Sequence, residues 1–155
     1  MTAPGRAAVV VSAPRWALPA SLALSVAGLA VSAYLTFEHY SSSSTLACPD
    51  TGVVDCVKVT TSSYADLLDV PVALLGLLYF VAMCALCTPP AWASTNGWVH
   101  RARLLAVTTG AVFVLYLVWA ELFRIDAICL WCTVVHVLAV GLFAVVALAT
   151  ALREA

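Results

Sequence analysis

The sequence predicts an all-α integral membrane protein: a four-transmembrane-helix bundle with an extracytoplasmic loop that carries a short helix between its first and second helices. Three observations support this fold class. Hydrophobic residues make up 64% of the 155 residues and charged residues only 10%. The mean hydropathy is +1.05. Four long runs contain no Asp, Glu, Lys or Arg. So few charges could not cover the surface of a soluble domain of this length.

The four uncharged runs have the length of membrane-spanning helices. We place the helices at about 16–37, 70–88, 102–122 and 127–152, and the outer loop at 38–69. A hydrocarbon core of about 30 Å needs roughly 17 to 25 helical residues. The runs are continuously apolar rather than alternating, which argues against membrane strands. Short gaps after the second run favour antiparallel neighbours, so we expect a single domain over 1–155.

The first run could also be interpreted as a cleaved signal peptide. Arg6 and Arg15 precede it, and Val31-Ser32-Ala33 offers small residues for cleavage. The run is longer than the usual apolar core of about 7 to 15 residues in a signal peptide. We therefore expect a retained helix.

The long loop contains one helix-start pattern before the second span. Ser63 stands three residues before Asp66 and apolar residues follow, as in a capping box, so we expect the short interfacial helix over Ser62–Leu68. The apolar stretch from Leu67 to Pro71 either lies on the membrane as a roof over a binding pocket or only leads into the second helix.

Prolines and tryptophans bound the second span. Pro71 suits a first helical turn, and Pro89-Pro90 cannot extend the helix, which should end near Cys87 or Thr88. We expect Trp92 and Trp98 at the inner membrane interface.

The basic residues predict the orientation. Those that flank the spans on one side are Arg6, Arg15, Arg101, Arg103 and Arg153. By the positive-inside rule this side is cytoplasmic, so both termini lie inside and the long loop lies outside. A net charge of −1 gives no reason to expect nucleic acid as a partner. The preference for Arg over Lys, with abundant Ala and Val, suggests a bacterial protein and therefore a multi-pass protein of the cytoplasmic (inner) membrane.

The side of the membrane on which each cysteine is expected to lie reduces the number of possible pairings of the six cysteines. Cys48 and Cys56 occupy the outer loop, and Cys129 and Cys132 open the fourth helix at the same side, where an oxidising compartment permits disulfide exchange. Cys84 and Cys87 also form a C-x-x-C pair, but they lie deep in the second helix. There we expect small hydrophobic side chains, with metal binding or lipidation as the alternatives.

The Cys129–Cys132 pair has the features of a redox pair. A helix N-terminus stabilises a thiolate at Cys129, and the i, i+3 spacing puts both sulfur atoms on one face. Cys132 lies one turn deeper, at the hydrocarbon boundary, where a lipid-soluble quinone could meet it. Two alternatives are static Cys48–Cys56 and Cys129–Cys132 disulfides, and a four-cysteine zinc site, which the oxidising compartment disfavours.

The ordered motifs resemble those of the vitamin K epoxide reductase family. They are Cys48 and Cys56 with seven residues between them, then Ser62, then Gly76-Leu77-Leu78-Tyr79, then Cys129-Leu130-Trp131-Cys132. The resemblance covers nearly the whole chain. Bacterial disulfide-bond oxidases of the other four-helix type carry C-x-x-C in the first outer loop, so the order of motifs opposes that assignment.

The resemblance implies a role for each of these residues. Cys132 would react with the quinone, which would be menaquinone or ubiquinone. Cys129 would form a mixed disulfide with Cys56, and Cys48 would exchange with an external thioredoxin-like protein. Ser62 would position the cysteines, or a hydrogen bond of the loop, near the quinone.

Two positions depart from the family pattern. Val72 stands where the vertebrate enzymes carry an Asn that hydrogen-bonds vitamin K, and His136 stands in place of a Tyr that contacts the quinone. His136 could donate to a quinone oxygen or be satisfied by a neighbouring helix. We therefore predict a quinone-linked thiol–disulfide oxidoreductase that oxidises a thioredoxin-like partner. The alternatives are a vitamin K epoxide or naphthoquinone reductase and a non-catalytic, disulfide-stabilised membrane scaffold.

Overall fold

Four helices form a closed bundle in this computed structural model, which describes residues 13–41, 47–49 and 51–154. The elements in chain order are α1 Ala17–Tyr40, α2 Cys56–Thr60, β1 Asp66–Leu67, β2 Val70–Pro71, α3 Val72–Leu86, α4 Pro89–Ala93, α5 Gly97–Ala120, a π-helical turn at Glu121–Ile125, and α6 Leu130–Glu154. Helix α1 packs against α3 and α6, and α5 packs against the same two helices.

The predicted fold class is confirmed. Helices α1 and α6 and the α5 helix with its π-helical turn are long and apolar enough to cross a membrane, and α3 is a shorter apolar helix of 15 residues. The four correspond to the four predicted spans. Helix α3 ends at Leu86, next to the predicted boundary, because the following prolines cannot continue it and instead start α4.

Small residues form the contact face of α1. Its buried residues are Ala17, Ser21, Ser25, Gly28, Ser32 and Leu35. A Cβ on Gly28 would collide with the ring of Phe80 in α3, and a Cβ on Gly76 of α3 would lie 3.3 Å from the Ser32 hydroxyl. Close helix approach through small side chains is the usual packing mode where no hydrophobic effect drives helices together.

The short helix of the outer loop is present, but our prediction of its position was wrong. It spans Cys56–Thr60, and the Asp55 side chain caps it by accepting a hydrogen bond from the Lys58 N–H at 2.8 Å. Residues 62–68 instead lead into a hairpin whose two central residues, Leu68 and Asp69, have φ of 54° and 63°. Pro71 favours an extended conformation at Val70, and the antiparallel pairing of Val70 with Leu67 takes Leu67 out of any helix.

Trp92, which we expected at the inner membrane interface together with Trp98, is buried inside the bundle. It is 5% exposed, and its indole N–H donates to the Ser21 hydroxyl at 3.1 Å. The Arg103 guanidinium lies 3.8 Å above its ring, and Arg153 donates to its carbonyl oxygen at 3.0 Å. Trp98, by contrast, is exposed as expected for an interface residue. Arg103 and Arg153 therefore converge on Trp92 at one end of the bundle.

The Gly28 contact predicts a test of bundle packing. Gly28→Ala should lower the free energy of unfolding by about 1–3 kcal/mol, because the new Cβ overlaps the Phe80 ring in a tightly packed interface. Gly97→Ala is the matched control, since no atom lies within 4 Å of its added Cβ. Thermal unfolding in detergent measures both variants, and equal midpoints for the two would contradict the packing described.

Candidate functional site

A backbone pairing joins the outer loop to the start of α6. Val54 and Ile128 form a parallel bridge, in which the Asp55 N–H donates to the Ile128 carbonyl at 3.1 Å and the Ile128 N–H donates to the Val53 carbonyl at 2.9 Å. Neighbouring strands lie about 4.8 Å apart in this direction. The pairing therefore brings Cys56, two residues after Val54, next to Cys129, one residue after Ile128.

Side chains strengthen this junction. The Trp131 indole N–H donates to the Ala47 carbonyl at 3.0 Å, and the Lys58 ammonium donates to the Asp126 carbonyl at 3.3 Å. The Arg124 guanidinium donates to the Tyr64 hydroxyl at 2.8 Å. These bonds hold both sides of the loop against the chain that precedes α6.

The four cysteines that we expected outside the membrane lie in one apolar cluster. Cys56 and Cys129 belong to its buried core, and Cys48 and Cys132 pack against it. Cys48 and Cys56 form a disulfide with Cα atoms 6.1 Å apart, whereas Cys129 and Cys132 are free. The structure thus brings together two cysteine pairs, one disulfide-bonded and one reduced.

Cys129 caps the N-terminus of α6 with its sulfur. The Cys132 backbone N–H donates to the Cys129 sulfur at 3.2 Å, and the Thr133 N–H donates to the Cys129 carbonyl at 2.9 Å. The hydrogen bond from the Cys132 side chain, followed by those from backbone N–H groups, lowers the pKa of the Cys129 thiol against the opposing effect of burial. The geometry therefore favours the thiolate at Cys129, the nucleophilic form.

A cavity of about 370 Å³ opens beside Cys132. It is bounded by the outer ends of α1, α3, α5 and α6 and by the loop between α2 and β1. Among its lining residues are Ser62, Val72, Gly76, Glu121, Cys132 and His136. The volume lies in the range of small-molecule sites, and apolar walls with a few polar groups are typical of such sites.

Ser62 and His136, which the sequence analysis predicted as quinone-site residues, both line this cavity. The Ser62 hydroxyl donates to the Val59 carbonyl at 2.8 Å, which leaves its oxygen free to accept a hydrogen bond. His136 is 7% exposed, and its imidazole has no hydrogen-bond partner among the described residues. No neighbouring helix within the described part of the chain satisfies this ring.

Comparison with protein families agrees with the geometry. The model of the vitamin K epoxide reductase family matches residues 19–147. The chain belongs to the vitamin K epoxide reductase family. Members of this family are quinone-dependent oxidoreductases, so this chain is a membrane oxidoreductase with cysteine pairs.

The cavity fits the quinone that this family uses. A quinone ring is flat and apolar with two carbonyl oxygens, which need hydrogen-bond donors. The unpartnered imidazole of His136 offers an N–H, and the Cys132 thiol lies on the same wall. Val72 contributes only an alkyl surface to the cavity. Ser62, Cys132 and His136 are therefore the residues suited to hold the ring.

Glu121 is a cavity residue that the sequence prediction missed. It is 6% exposed and belongs to the π-helical turn between α5 and α6. The available signal was its position directly after an uncharged apolar run and eight residues before Cys129, since an acid at such a boundary is costly to bury and often functional.

At the opposite end of the bundle, Cys84 and Cys87 are also free. Cys87 follows the last residue of α3 and is completely buried, in the same apolar cluster as Trp92. Neither residue joins the cluster that contains the other four cysteines. Their placement agrees with the expectation that they behave as apolar side chains.

The hydrogen bond between the free cysteines predicts a shift in titration. In a chain with Cys84→Ala and Cys87→Ala, Cys132→Ala should raise the pKa of Cys129, because the largest contribution that stabilises its thiolate is removed. The thiolate absorbance would then appear at higher pH than in the chain that retains Cys132. Adding Cys129→Ala to the Cys132 variant is the control that should abolish this titration, because the remaining cysteines, Cys48 and Cys56, form a disulfide. An unchanged midpoint in the Cys132 variant would show that the hydrogen bond does not stabilise the thiolate.

Proposed function

We propose that this protein takes two electrons from an extracytoplasmic thioredoxin-like protein and passes them through its two cysteine pairs to a membrane quinone. The net result is a disulfide in the partner, or in the partner's own substrates, and a hydroquinone in the membrane. The observation that carries this proposal is the single cluster that contains Cys48, Cys56, Cys129 and Cys132 beside the cavity.

The electrons would move by four successive thiol–disulfide exchanges. A partner thiolate attacks Cys48 of the Cys48–Cys56 disulfide, and the partner's second thiolate releases Cys48, which leaves both loop cysteines reduced. The Cys56 thiolate then attacks Cys129 of a Cys129–Cys132 disulfide and releases the Cys132 thiolate. Attack of Cys48 on Cys56 restores the loop disulfide and leaves Cys129 reduced. Each exchange conserves one disulfide, and its direction follows the reduction potentials.

The two ends of this path face different surroundings. A shallow depression on the loop is lined by Cys48, Pro49, Asp55, Cys56, Val57 and Lys58. Val53 and Val57 expose apolar side chains close by, which suits an approaching thioredoxin-like surface. Cys132, in contrast, lines the cavity between the helices, where a menaquinone or ubiquinone ring would bind with its tail in the lipid.

The distribution of basic residues supports one orientation of the protein in the membrane. Arg103 and Arg153 meet at Trp92, at the end of the bundle opposite the cysteine cluster. By the positive-inside rule we assign that end to the cytoplasm and the cysteines to the outside of a bacterial inner membrane. Both termini would then be cytoplasmic.

Quinone reduction is a better fit to the cavity than epoxide reduction. Val72 has no group that could donate a hydrogen bond to the ring oxygens of a vitamin K epoxide, and it lines the cavity itself. We therefore assign the cavity to quinone, and an assay of epoxide turnover in the purified protein provides the direct comparison.

The order of these thiol–disulfide exchanges, which we call the relay, can be tested with two cysteine variants. When the Cys129–Cys132 disulfide is present, Cys48→Ala should accumulate a Cys56–Cys129 disulfide, because the thiolate that resolves it is missing. Cys56→Ala should block oxidation of the thioredoxin-like partner and form no such species. Mass spectrometry of peptides under non-reducing conditions identifies the bond. Partner oxidation at the wild-type rate by Cys56→Ala would refute the order.

The role of His136 predicts a change in quinone affinity. His136→Phe should raise KM for a short-chain quinone about fivefold, which corresponds to about 1 kcal/mol for one lost hydrogen bond. A chemical dithiol serves as electron donor, and quinone absorbance reports the rate. His100→Gln, at the far end of the bundle, is the control that should keep the wild-type KM. An unchanged KM in His136→Phe would remove His136 from the quinone site.

A further inference from the structure

A buried carboxyl group faces the same cavity as the reduced cysteine pair. Glu121 is the first residue of the π-helical turn, and its side chain lies in the cavity wall with Cys132 and His136. It is 6% exposed. A π-helical turn widens the helix by one residue and is common at functional sites. Glu38 and Asp66 also line the cavity, but both are more exposed than Glu121, which is the buried carboxyl group of the three.

The groups that interact with Glu121 belong to the free cysteine pair, Cys129 and Cys132. Its carboxyl group lies close enough to the Cys129 backbone N–H and to the thiols of Cys129 and Cys132 to interact with them electrostatically. Within residues 13–41, 47–49 and 51–154, no cation forms an ion pair with Glu121. Arg124, one turn further along, is instead bound to the Tyr64 hydroxyl. An ionised carboxylate buried without a cation is unfavourable, so this environment accommodates the acid form.

The stoichiometry of the proposed reaction leaves one proton unassigned. Reduction of a quinone to a hydroquinone consumes two electrons and two protons. The reduced cysteine pair supplies both electrons, but when Cys129 reacts as the thiolate, which the Cys132 N–H stabilises at the start of α6, the pair supplies only the proton of Cys132. His136 cannot make up the difference as a neutral imidazole, because loss of its N–H proton would leave an imidazolate. A second acid is required within reach of the ring.

We propose that Glu121 is this acid, the group that donates the second proton during reduction of the quinone. The balanced step converts the Cys129 thiolate, the Cys132 thiol, the Glu121 carboxylic acid and a quinone into the Cys129–Cys132 disulfide, the Glu121 carboxylate and a hydroquinone. One S–S bond forms, one S–H and one O–H bond break, and the charge is −1 on both sides. Glu121 then recovers its proton from water through the mouth of the cavity.

This inference rests on the proposed function, so the experiment tests the two separately. The fully reduced protein is mixed anaerobically with a water-soluble benzoquinone, and single-turnover quinone absorbance is recorded for wild type, Glu121→Gln, Glu121→Asp and His136→Gln. Asp69→Asn is the matched control, because Asp69 is an exposed carboxylate of the outer hairpin that does not line the cavity. Redox-difference infrared spectra of the same samples report protonated carboxyl groups independently of the rate.

Four results are expected if the inference is correct. Glu121→Gln slows the single turnover about 10²-fold, as expected for a lost general acid, and Glu121→Asp recovers part of that rate. The spectrum of wild type contains a carboxylic-acid band that disappears on oxidation, and this band is missing from Glu121→Gln. Asp69→Asn retains both the rate and the band. His136→Gln weakens quinone binding but keeps the band.

Other results would overturn the assignment of Glu121 as the proton donor. A wild-type rate in Glu121→Gln, or a carboxylic-acid band that survives in that variant, would remove Glu121 from proton transfer while leaving the relay intact. A band that disappears in His136→Gln instead would assign the proton to another path. If wild type itself fails to oxidise its Cys129–Cys132 thiols with any benzoquinone or naphthoquinone, the proposed function fails and this inference fails with it. Loss of folding in Glu121→Gln is detected by thermal unfolding, and the Glu121→Asp rate then decides.

Discussion

The pairing of the outer loop with residue 128 is the constraint on which the site depends. Two backbone hydrogen bonds made by Ile128 fix the register between the loop and the chain before α6. In the sequence, the hairpin, helices α3, α4 and α5 and the π-helical turn separate Cys56 from Cys129. Closing a chain segment of this length costs conformational entropy. The bonds from Trp131 and Lys58 to loop and linker carbonyls help to offset that cost.

The bundle makes room for the cavity through the unequal lengths of its helices. Helix α3 has 15 residues whereas α1 and α5 each have 24. The hairpin Asp66–Pro71 and the turn before it occupy the space beyond the start of α3, and the cavity lies beneath them. The small residues at the α1–α3 contact keep these helices close at Gly28 and Gly76. The opening is thus confined to the outer end of the bundle, next to Cys132.

The sequence predicted what depends on composition and local pattern. Uncharged runs located the four spans, and the position of Cys129 at the start of the last span predicted its role as a helix cap. The predicted position of the short loop helix was wrong, because the local pattern of Ser63 and Asp66 does not contain the pairing of Leu67 with Val70 that makes this stretch part of a hairpin. The burial of Trp92 depends on Arg103 and Ser21, which are distant in sequence. Glu121 was missed for the same reason, since its neighbours come from α6.

The complete burial of Cys129 has a consequence for selectivity. This sulfur is 0% exposed and lies between the loop disulfide on one side and the cavity on the other. Dissolved oxygen, peroxide and small thiols in the surrounding water therefore have no direct access to it. Under the proposed function, electrons would reach Cys129 only from the loop cysteines and would leave it only through Cys132, so its burial would prevent side reactions of this thiol with water-borne oxidants.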